Sequence, residues 1–147
     1  MKKICTFLFL FACSITIYAQ RIPSISDLLS LKSMEKVKTY ALKYGYEDNE
    51  DLTGYEKPGI VDITTETNAR ETVLYGLTVT VYSKKDALTW INQLKQLGYK
   101  TGAGGGEGAR GRNWSYSKKG SPGIGLWNDY GNTYELYIVF IKRPNNY

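Results

Sequence analysis

Residues 71–81 read ETVLYGLTVTV, a segment in which apolar side chains recur at every second position. This period of two is typical of a β-strand that packs one face on the core and leaves the other partly in water. The predicted core face consists of Val73, Tyr75, Leu77, Val79 and Val81. The predicted opposite face consists of Leu74, Gly76, Thr78, Thr80 and Tyr82.

Residues 132–142 read NTYELYIVFIK and align with residues 71–81 as a second long strand. The predicted core face of this strand carries Tyr134, Leu136, Ile138 and Phe140. Its opposite face carries Glu135, Tyr137, Val139 and Ile141, and is also strongly apolar. Such a strand is either covered on both faces or part of an exposed apolar patch. Trp127, one strand earlier, is placed in the same region.

Each long strand ends a unit that begins with a helix. In the first unit, Ser33 is the predicted N-cap of the helix and Gly45 its predicted stop. In the second unit, the helix follows Ser83, with Asp86 as partner in a capping box, and stops at Gly98. The apolar residues at helical spacing are Met34, Val37, Ala41 and Tyr44 in the first helix, and Ala87, Leu88, Ile91, Leu94 and Leu97 in the second. Both helices end in the dipeptide Gly-Tyr.

The similarity of the two units extends beyond the helix and the long strand. The segment YEKPG at 55–59 corresponds to YSKKGSPG at 116–123, and IVDITT at 60–65 corresponds to IGLWND at 124–129. We therefore predict a single α+β domain over residues 20–147, built from two similar αβββ units at about 26–83 and 84–143. The predicted architecture is an antiparallel sheet of about 6–8 strands with two helices on one face.

This layout resembles that of the β-lactamase inhibitor protein family, whose members are secreted chains built as a tandem helix-plus-sheet repeat. The resemblance is one of architecture and covers about residues 26–143. It implies an open sheet face that is rich in aromatic side chains and can grip another protein. It transfers no individual residue, and the disulfides of that family have no counterpart here, since residues 20–147 contain no cysteine.

The first 19 residues are predicted to be a secretory signal peptide. Lys2 and Lys3 precede an almost wholly apolar run at 4–17, and Ala19 provides the small residue before the cleavage point. The run is shorter than the ~20 apolar residues of a transmembrane helix, and no later segment approaches that length. We expect export to the periplasm or beyond, without a transmembrane segment after cleavage.

Two alternatives to the signal peptide remain open. Cys13 ends the sequence LFAC, which resembles a bacterial lipobox, so one alternative is lipid anchoring at this residue. The other is an unprocessed, buried hydrophobic strand. Both cysteines, Cys5 and Cys13, lie in this N-terminal segment, so cleavage after Ala19 leaves no disulfide and the domain relies on its core.

The absence of histidine narrows the possible chemistry. Without histidine, and without a thiol after cleavage, the chain cannot form a Ser-His-Asp triad, a Cys-His pair or a histidine-bearing zinc site. We therefore predict a non-enzymatic protein with no catalytic residue, metal or cofactor, and keep a carboxylate-dependent hydrolase as the minor alternative. The acidic cluster Glu47, Asp48, Glu50 and Asp51 is predicted to be a solvated loop, with calcium binding as the alternative.

A glycine-rich stretch, GAGGGEGARG at 102–111, is largely an insertion in the second unit. No helix is predicted to open after it, which argues against a phosphate-binding loop. The stretch is predicted to be either a mobile connection or a loop that becomes ordered on a partner.

Charge is unevenly distributed along the chain. Residues 20–83 hold 7 basic and 10 acidic residues, whereas residues 84–147 hold 10 basic and 4 acidic ones. Four of the basic residues bracket Trp114 and Tyr116 beside the glycine-rich stretch: Arg110, Arg112, Lys118 and Lys119. This basic hairpin is either simply solvated or a site for anionic glycan, envelope polymer or lipid headgroups. Nucleic acid is not expected as the partner of an exported protein.

The sequence thus favours a small exported domain that binds another protein, as an inhibitor or an immunity protein does. The features behind this hypothesis are the missing catalytic residues, the open sheet face and the glycine-rich insertion. The residues predicted to contact the partner are Trp127, Tyr137, Val139, Ile141 and Tyr82. The alternative is a periplasmic or surface module that binds anionic glycan or envelope polymer through the basic hairpin.

Overall fold

The computed structural model describes residues 22–49, 53–102, 107–108, 111–129 and 131–142. Over these residues the chain forms three helices and nine strands. The helices are α1 (Ile25–Ser30), α2 (Met34–Lys43) and α3 (Lys84–Gln96). The strands are β1 (Glu47–Asn49), β2 (Gly54–Lys57), β3 (Val61–Thr67), β4 (Leu74–Val81), β5 (Lys100–Thr101), β6 (Glu107–Gly108), β7 (Gly111–Ser117), β8 (Gly123–Asn128) and β9 (Tyr134–Val139).

All nine strands belong to one antiparallel sheet, which confirms the predicted α+β fold. Eight of them follow one another in the order β1-β2-β3-β4-β9-β8-β7-β5, and β6 pairs with β7 outside this row. The order is symmetric about the central pair of β4 and β9, because in each unit the strand that follows the helix lies at the edge of the sheet and the later strands lead inward to the long strand. Leu77 and Ile138, which occupy equivalent positions in the two aligned segments, pair directly across the centre.

The core lies between the three helices and one face of the sheet. Val37, Trp90 and Leu94 from the helices meet Val79 and Leu136 from the central strands, and all five are fully buried. Trp90 is absent from the apolar face predicted for the second helix, and Leu88, which was included in it, is 48% exposed. The reason is that α3 presents Ala87, Trp90 and Leu94 to the sheet, a narrower stripe than the predicted one.

Both predicted helix ends are confirmed, and both follow the same pattern. Gly45 and Gly98 adopt positive φ angles of 70° and 82°, which glycine reaches without steric cost. The next residue then turns back, so that the Tyr46 N–H donates to Ala41 O at 2.9 Å and the Tyr99 N–H to Leu94 O at 3.0 Å. Both tyrosines are buried, so each Gly-Tyr pair ends its helix and also contributes to the core.

The helix starts differ from the prediction in two respects. Ser33 caps α2 as predicted, by accepting a hydrogen bond from Lys36 N, but the Ser83 side chain makes no capping bond, so the predicted capping box with Asp86 is wrong. The capping box forms instead at α1, a helix that the prediction missed, where Ser24 and Asp27 cap each other's backbone. α1 has only six residues, and apolar periodicity cannot be read from so short a segment.

A β-bulge in β4 changes the face that its first residues present. Thr67 pairs with Leu74 and Glu66 with Gly76, so Tyr75 is the extra residue that forms the bulge in β4. The alternation therefore shifts by one position, and Leu74 enters the core in place of Val73 and Tyr75, for which the prediction was wrong. After the bulge, Leu77, Val79 and Val81 are buried as predicted. On β9 the predicted core face is confirmed, with Leu136 and Ile138 buried and Tyr134 and Phe140 partly buried against them.

Several predictions concern residues outside the described ranges: the signal peptide at 1–19, the lipid anchor at Cys13, Arg110, and most of the glycine-rich stretch. Within the described ranges, no helix has both the length and the apolar character needed to cross a membrane.

Candidate functional site

The face of the sheet that points away from the helices is the open face. Its composition follows from the hydrogen-bond register, since residues that pair across neighbouring strands lie on the same face. One row of paired residues crosses seven strands in the order Asn113, Trp127, Glu135, Thr80, Asp62, Glu56 and Glu47. The adjacent row runs in the order Ser115, Gly125, Tyr137, Thr78, Thr64 and Gly54. No side chain of the first row is part of the hydrophobic core that the described residues form.

A concave site with a volume of about 430 Å³ lies where these two rows cross β7, β8, β9 and β4. Its lining includes Trp127, Tyr137, Glu135, Thr78, Ser115 and Gly125. Gly125 accounts for the concavity: it pairs with Tyr137 on one side and Ser115 on the other, and contributes no side chain to fill the space between them. A glycine inside a strand often marks a place where another molecule approaches the sheet.

Tyr137 is held in place at the floor of this site. Its hydroxyl donates to Glu66 Oε2 at 2.7 Å, and Glu66 lies on β3 whereas Tyr137 lies on β9. Because β4 lies between these two strands, the Tyr137 side chain extends across β4 on the open face. A tyrosine anchored at both ends loses little further freedom when a partner packs against its ring.

Carboxylates collect on the half of the open face beside the concave site. Glu56, Asp62 and Glu135 share the first row, and Glu66 lies further along β3. These carboxylates affect Tyr82, which is 42% exposed and whose hydroxyl donates a hydrogen bond to Asp62. That hydrogen bond, followed by partial burial and by the charges of Asp62, Glu56 and Glu135, raises the pKa of Tyr82 to about 12.

Most basic side chains of the described helices and strands lie on the other side of the molecule. Six exposed lysines belong to α2 and α3: Lys36, Lys38, Lys43, Lys84, Lys85 and Lys95. Among the described strands, the register places one cation on the open face, Lys100 on the short edge strand β5, opposite Ser117. The open face is therefore acidic although the chain as a whole has a net charge of +5.

The predicted partner-binding residues lie in the same part of the molecule, but the structure places them at three separate positions. Trp127 and Tyr137 line the concave site together. Val139 and Ile141, the latter 51% exposed, line a second concavity beyond the end of β9. Tyr82 lies at the end of β4, beside Asp62. The site is completed by three residues that were not predicted to belong to it: Glu135, Gly125 and Thr78. Gly125 could have been found from the sequence, because a glycine inside a strand often marks a place where another molecule approaches.

The three described basic residues of the predicted basic hairpin do not form a single surface. Arg112 lies at the start of β7, whereas Lys118 and Lys119 follow its end, so a strand length of about 20 Å separates them. Lys118 Nζ donates to Leu97 O at 2.7 Å. Trp114 and Tyr116, the aromatic members of the prediction, face the helices, and Tyr116 is buried.

The predicted acidic loop is also different in the structure. Glu47 and Asp48 lie in β1, an edge strand, where they pair with Glu56 and Tyr55, so the prediction of a loop is wrong for these two residues. Glu50 and Asp51 lie outside the described residues. Within the described ranges, no cluster of three or more acidic or cysteine side chains is arranged to hold a metal ion.

Comparison of the chain with protein-family models finds no match, and comparisons with curated proteins and with solved structures find no significant similarity.

Proposed function

We propose that this protein is an exported, non-enzymatic domain that binds another protein through the open face of its sheet, as inhibitors and immunity proteins do. The observation that carries the proposal is the concave site, in which two large aromatic side chains flank a glycine on the sheet face that the three described helices leave uncovered. The resemblance to the β-lactamase inhibitor protein family stays a prediction at the level of architecture.

The side chains of the site are those from which protein interfaces gain most of their affinity. Trp127 and Tyr137 are both half-buried, so each exposes part of a large ring to a partner. Interface energy concentrates on a few Trp, Tyr and Arg residues near the centre of the contact, surrounded by polar groups. Thr78, Ser115 and Asn113 are the polar groups around this centre.

The site is also rigid, which favours tight binding. Its lining residues belong to strands β4, β7, β8 and β9, which are joined by continuous antiparallel ladders. The hydrogen bond from Tyr137 to Glu66 fixes one of the two aromatic side chains before any partner arrives. A preformed surface of this kind pays little conformational entropy on binding.

The first experiment is affinity capture, with the protein as bait for extracts of the envelope of its producing organism and of neighbouring organisms. We expect a protein partner that is retained at high salt. Substitution Trp127→Ala or Tyr137→Ala should weaken the affinity by more than about 1 kcal/mol, roughly fivefold. Unchanged affinity in both variants would contradict the proposal.

A second pair of variants tests the site without removing a contact. A Cβ at position 125 would lie 3.9 Å from Tyr137 Cβ, an ordinary contact, so Gly125→Val should fold normally and fill the concavity. Thr39→Val is the control, because Thr39 is an exposed residue of α2, on the side of the molecule away from the open face. We expect at least about tenfold weaker binding for the first variant and unchanged binding for the control. Equal affinities would place the interface elsewhere.

The alternative, binding of anionic glycan through Arg110, Arg112, Lys118 and Lys119, predicts a different result in the same capture. Exposed charges are screened within about 8 Å at physiological salt, so binding that depends on them should disappear as salt rises. Recovery of polysaccharide alone, lost at high salt, would favour this alternative.

A further inference from the structure

We infer that the concave site receives an arginine side chain of the partner, an inference that rests on the proposed protein-binding function. It names the chemistry that the site selects, whereas the proposed function names only the surface.

The open face is negatively charged around the concave site. Four carboxylates lie on the open face of adjacent or near-adjacent strands: Glu56, Asp62, Glu66 and Glu135. Among the described strands, the one basic residue on this face is Lys100, which lies on an edge strand. Complementary potentials guide protein association and exclude partners of like charge. A partner that docks on this face must therefore bring positive charge to it.

Glu135 lies within the concave site. Its side chain is exposed and has no hydrogen-bond or ion-pair partner among the described residues. It pairs directly with Trp127 on β8, and directly paired residues have Cβ atoms about 4.5–5.5 Å apart. A cation bound to the Glu135 carboxylate would consequently be within reach of the indole ring, where cation–π attraction adds to the charge interaction.

The chemical groups of the site fit arginine better than lysine. Guanidinium is planar, stacks on aromatic rings and directs five N–H donors outward in one plane, whereas ammonium is a compact point charge. The site offers a ring at Trp127, a carboxylate at Glu135 and hydroxyl acceptors at Thr78 and Ser115. Its volume of about 430 Å³ is sufficient for one long side chain and the backbone next to it.

The test uses two blocked tripeptides, acetyl-Gly-Arg-Gly-amide and its citrulline counterpart, which has nearly the same shape but no charge. Each is titrated to millimolar concentration into the full protein, and the indole N–H signal of Trp127 is followed by NMR and assigned with Trp127→Phe. We expect the arginine peptide to shift this signal and the citrulline peptide to bind at least about fivefold more weakly.

Glu135→Gln should weaken binding of the arginine peptide by a similar factor and leave binding of the citrulline peptide unchanged. Glu35→Gln is the matched control, because Glu35 is an exposed carboxylate in the first turn of α2, on the other side of the molecule. Unchanged melting temperatures in both variants show that neither substitution acts through folding.

Equal binding of the two peptides, or no shift of Trp127 by either, would overturn the arginine inference. The proposed function is judged separately, by capture of a protein partner and its loss in Gly125→Val. If a partner is captured but the arginine peptide does not shift the Trp127 signal, the proposed function is supported and the arginine inference is contradicted. If the arginine peptide alone shifts the Trp127 signal but no partner is captured, the arginine site is supported and the proposed function is contradicted.

Discussion

Tyr82 shows how a single side chain responds to the acidity of the open face. A largely exposed tyrosine ordinarily has a pKa near 10. Here the hydroxyl donates to Asp62 and lies in the field of Glu56 and Glu135, and these groups favour the neutral phenol over the phenolate. Tyr82 is therefore a natural reporter of the charge on the surface to which we assign partner binding.

Replacing the acceptor should restore ordinary behaviour at this residue. Asp62→Asn removes the charged acceptor, so the pKa of Tyr82 should fall from about 12 toward 10. A pH titration of the Tyr82 ring signal by NMR measures the change. Glu35→Gln, at a distance on α2, should leave the Tyr82 titration as it is in the unmodified protein. A pKa of Tyr82 that stays near 12 in Asp62→Asn would show that the hydrogen bond is not its main cause.

Among the elements, α1 is attached to the rest of the domain mainly through α3. The Trp90 indole N–H donates to Pro23 O at 2.8 Å, and the Ile25 N–H donates to Gln93 Oε1 at 2.8 Å. Trp90 is fully buried and Pro23 is buried as well, so the indole both fills the core and satisfies a buried carbonyl. A helix as short as α1 is not stable alone, and these contacts provide its stability.

Trp90→Phe should accordingly be costly. It leaves the buried Pro23 carbonyl without its donor and opens a cavity, and together these effects should lower the free energy of unfolding by about 2–4 kcal/mol. The measurement is urea denaturation followed by circular dichroism. Trp127→Phe, at the half-buried position on the open face, is the control and should cost less than about 1 kcal/mol. Equal losses in the two variants would contradict the assigned role of Trp90.

The limits of α2 and α3 and the long strands β4 and β9 could be predicted because they depend on local signals. Ser33 caps a helix, Gly45 and Gly98 end helices, and alternation marks a strand wherever these residues occur. The bulge at Tyr75 could not be predicted, because it arises from the pairing of β4 with β3. The same is true of Trp90, whose burial depends on a carbonyl 67 positions away in the chain.

At the scale of the whole molecule, buried tyrosines link folding to pH. Tyr40 and Tyr46 lie between the helices and the sheet, and burial is the main cause that raises the pKa of each. The pKa of Tyr82 is raised as well, mainly by its hydrogen bond to Asp62. In the unfolded chain these phenols ionise near pH 10. Above that pH the unfolded state binds fewer protons than the folded state, so the folded state becomes progressively less stable.

We therefore expect the urea midpoint to be insensitive to these groups below pH 10 and to fall as the pH rises to about 12 and beyond. Tyr46→Phe removes one of the phenols that must stay protonated, so its midpoint should fall less steeply over this range. Denaturation curves collected at intervals of pH provide the comparison. Parallel pH profiles for the two proteins would show that Tyr46 does not contribute to the loss.

The sequence by itself determined the class of the fold and the exclusion of histidine chemistry, because composition, apolar periodicity and helix caps can be read without knowing which strands pair. The open acidic face and the concave site were decided only by the tertiary structure. Glu66 and Tyr137 are 71 positions apart in the chain and meet across β4 because the sheet order places them there. Carboxylates from both units likewise share one face because strand register, which is a property of pairs of strands, selects the side on which each residue lies.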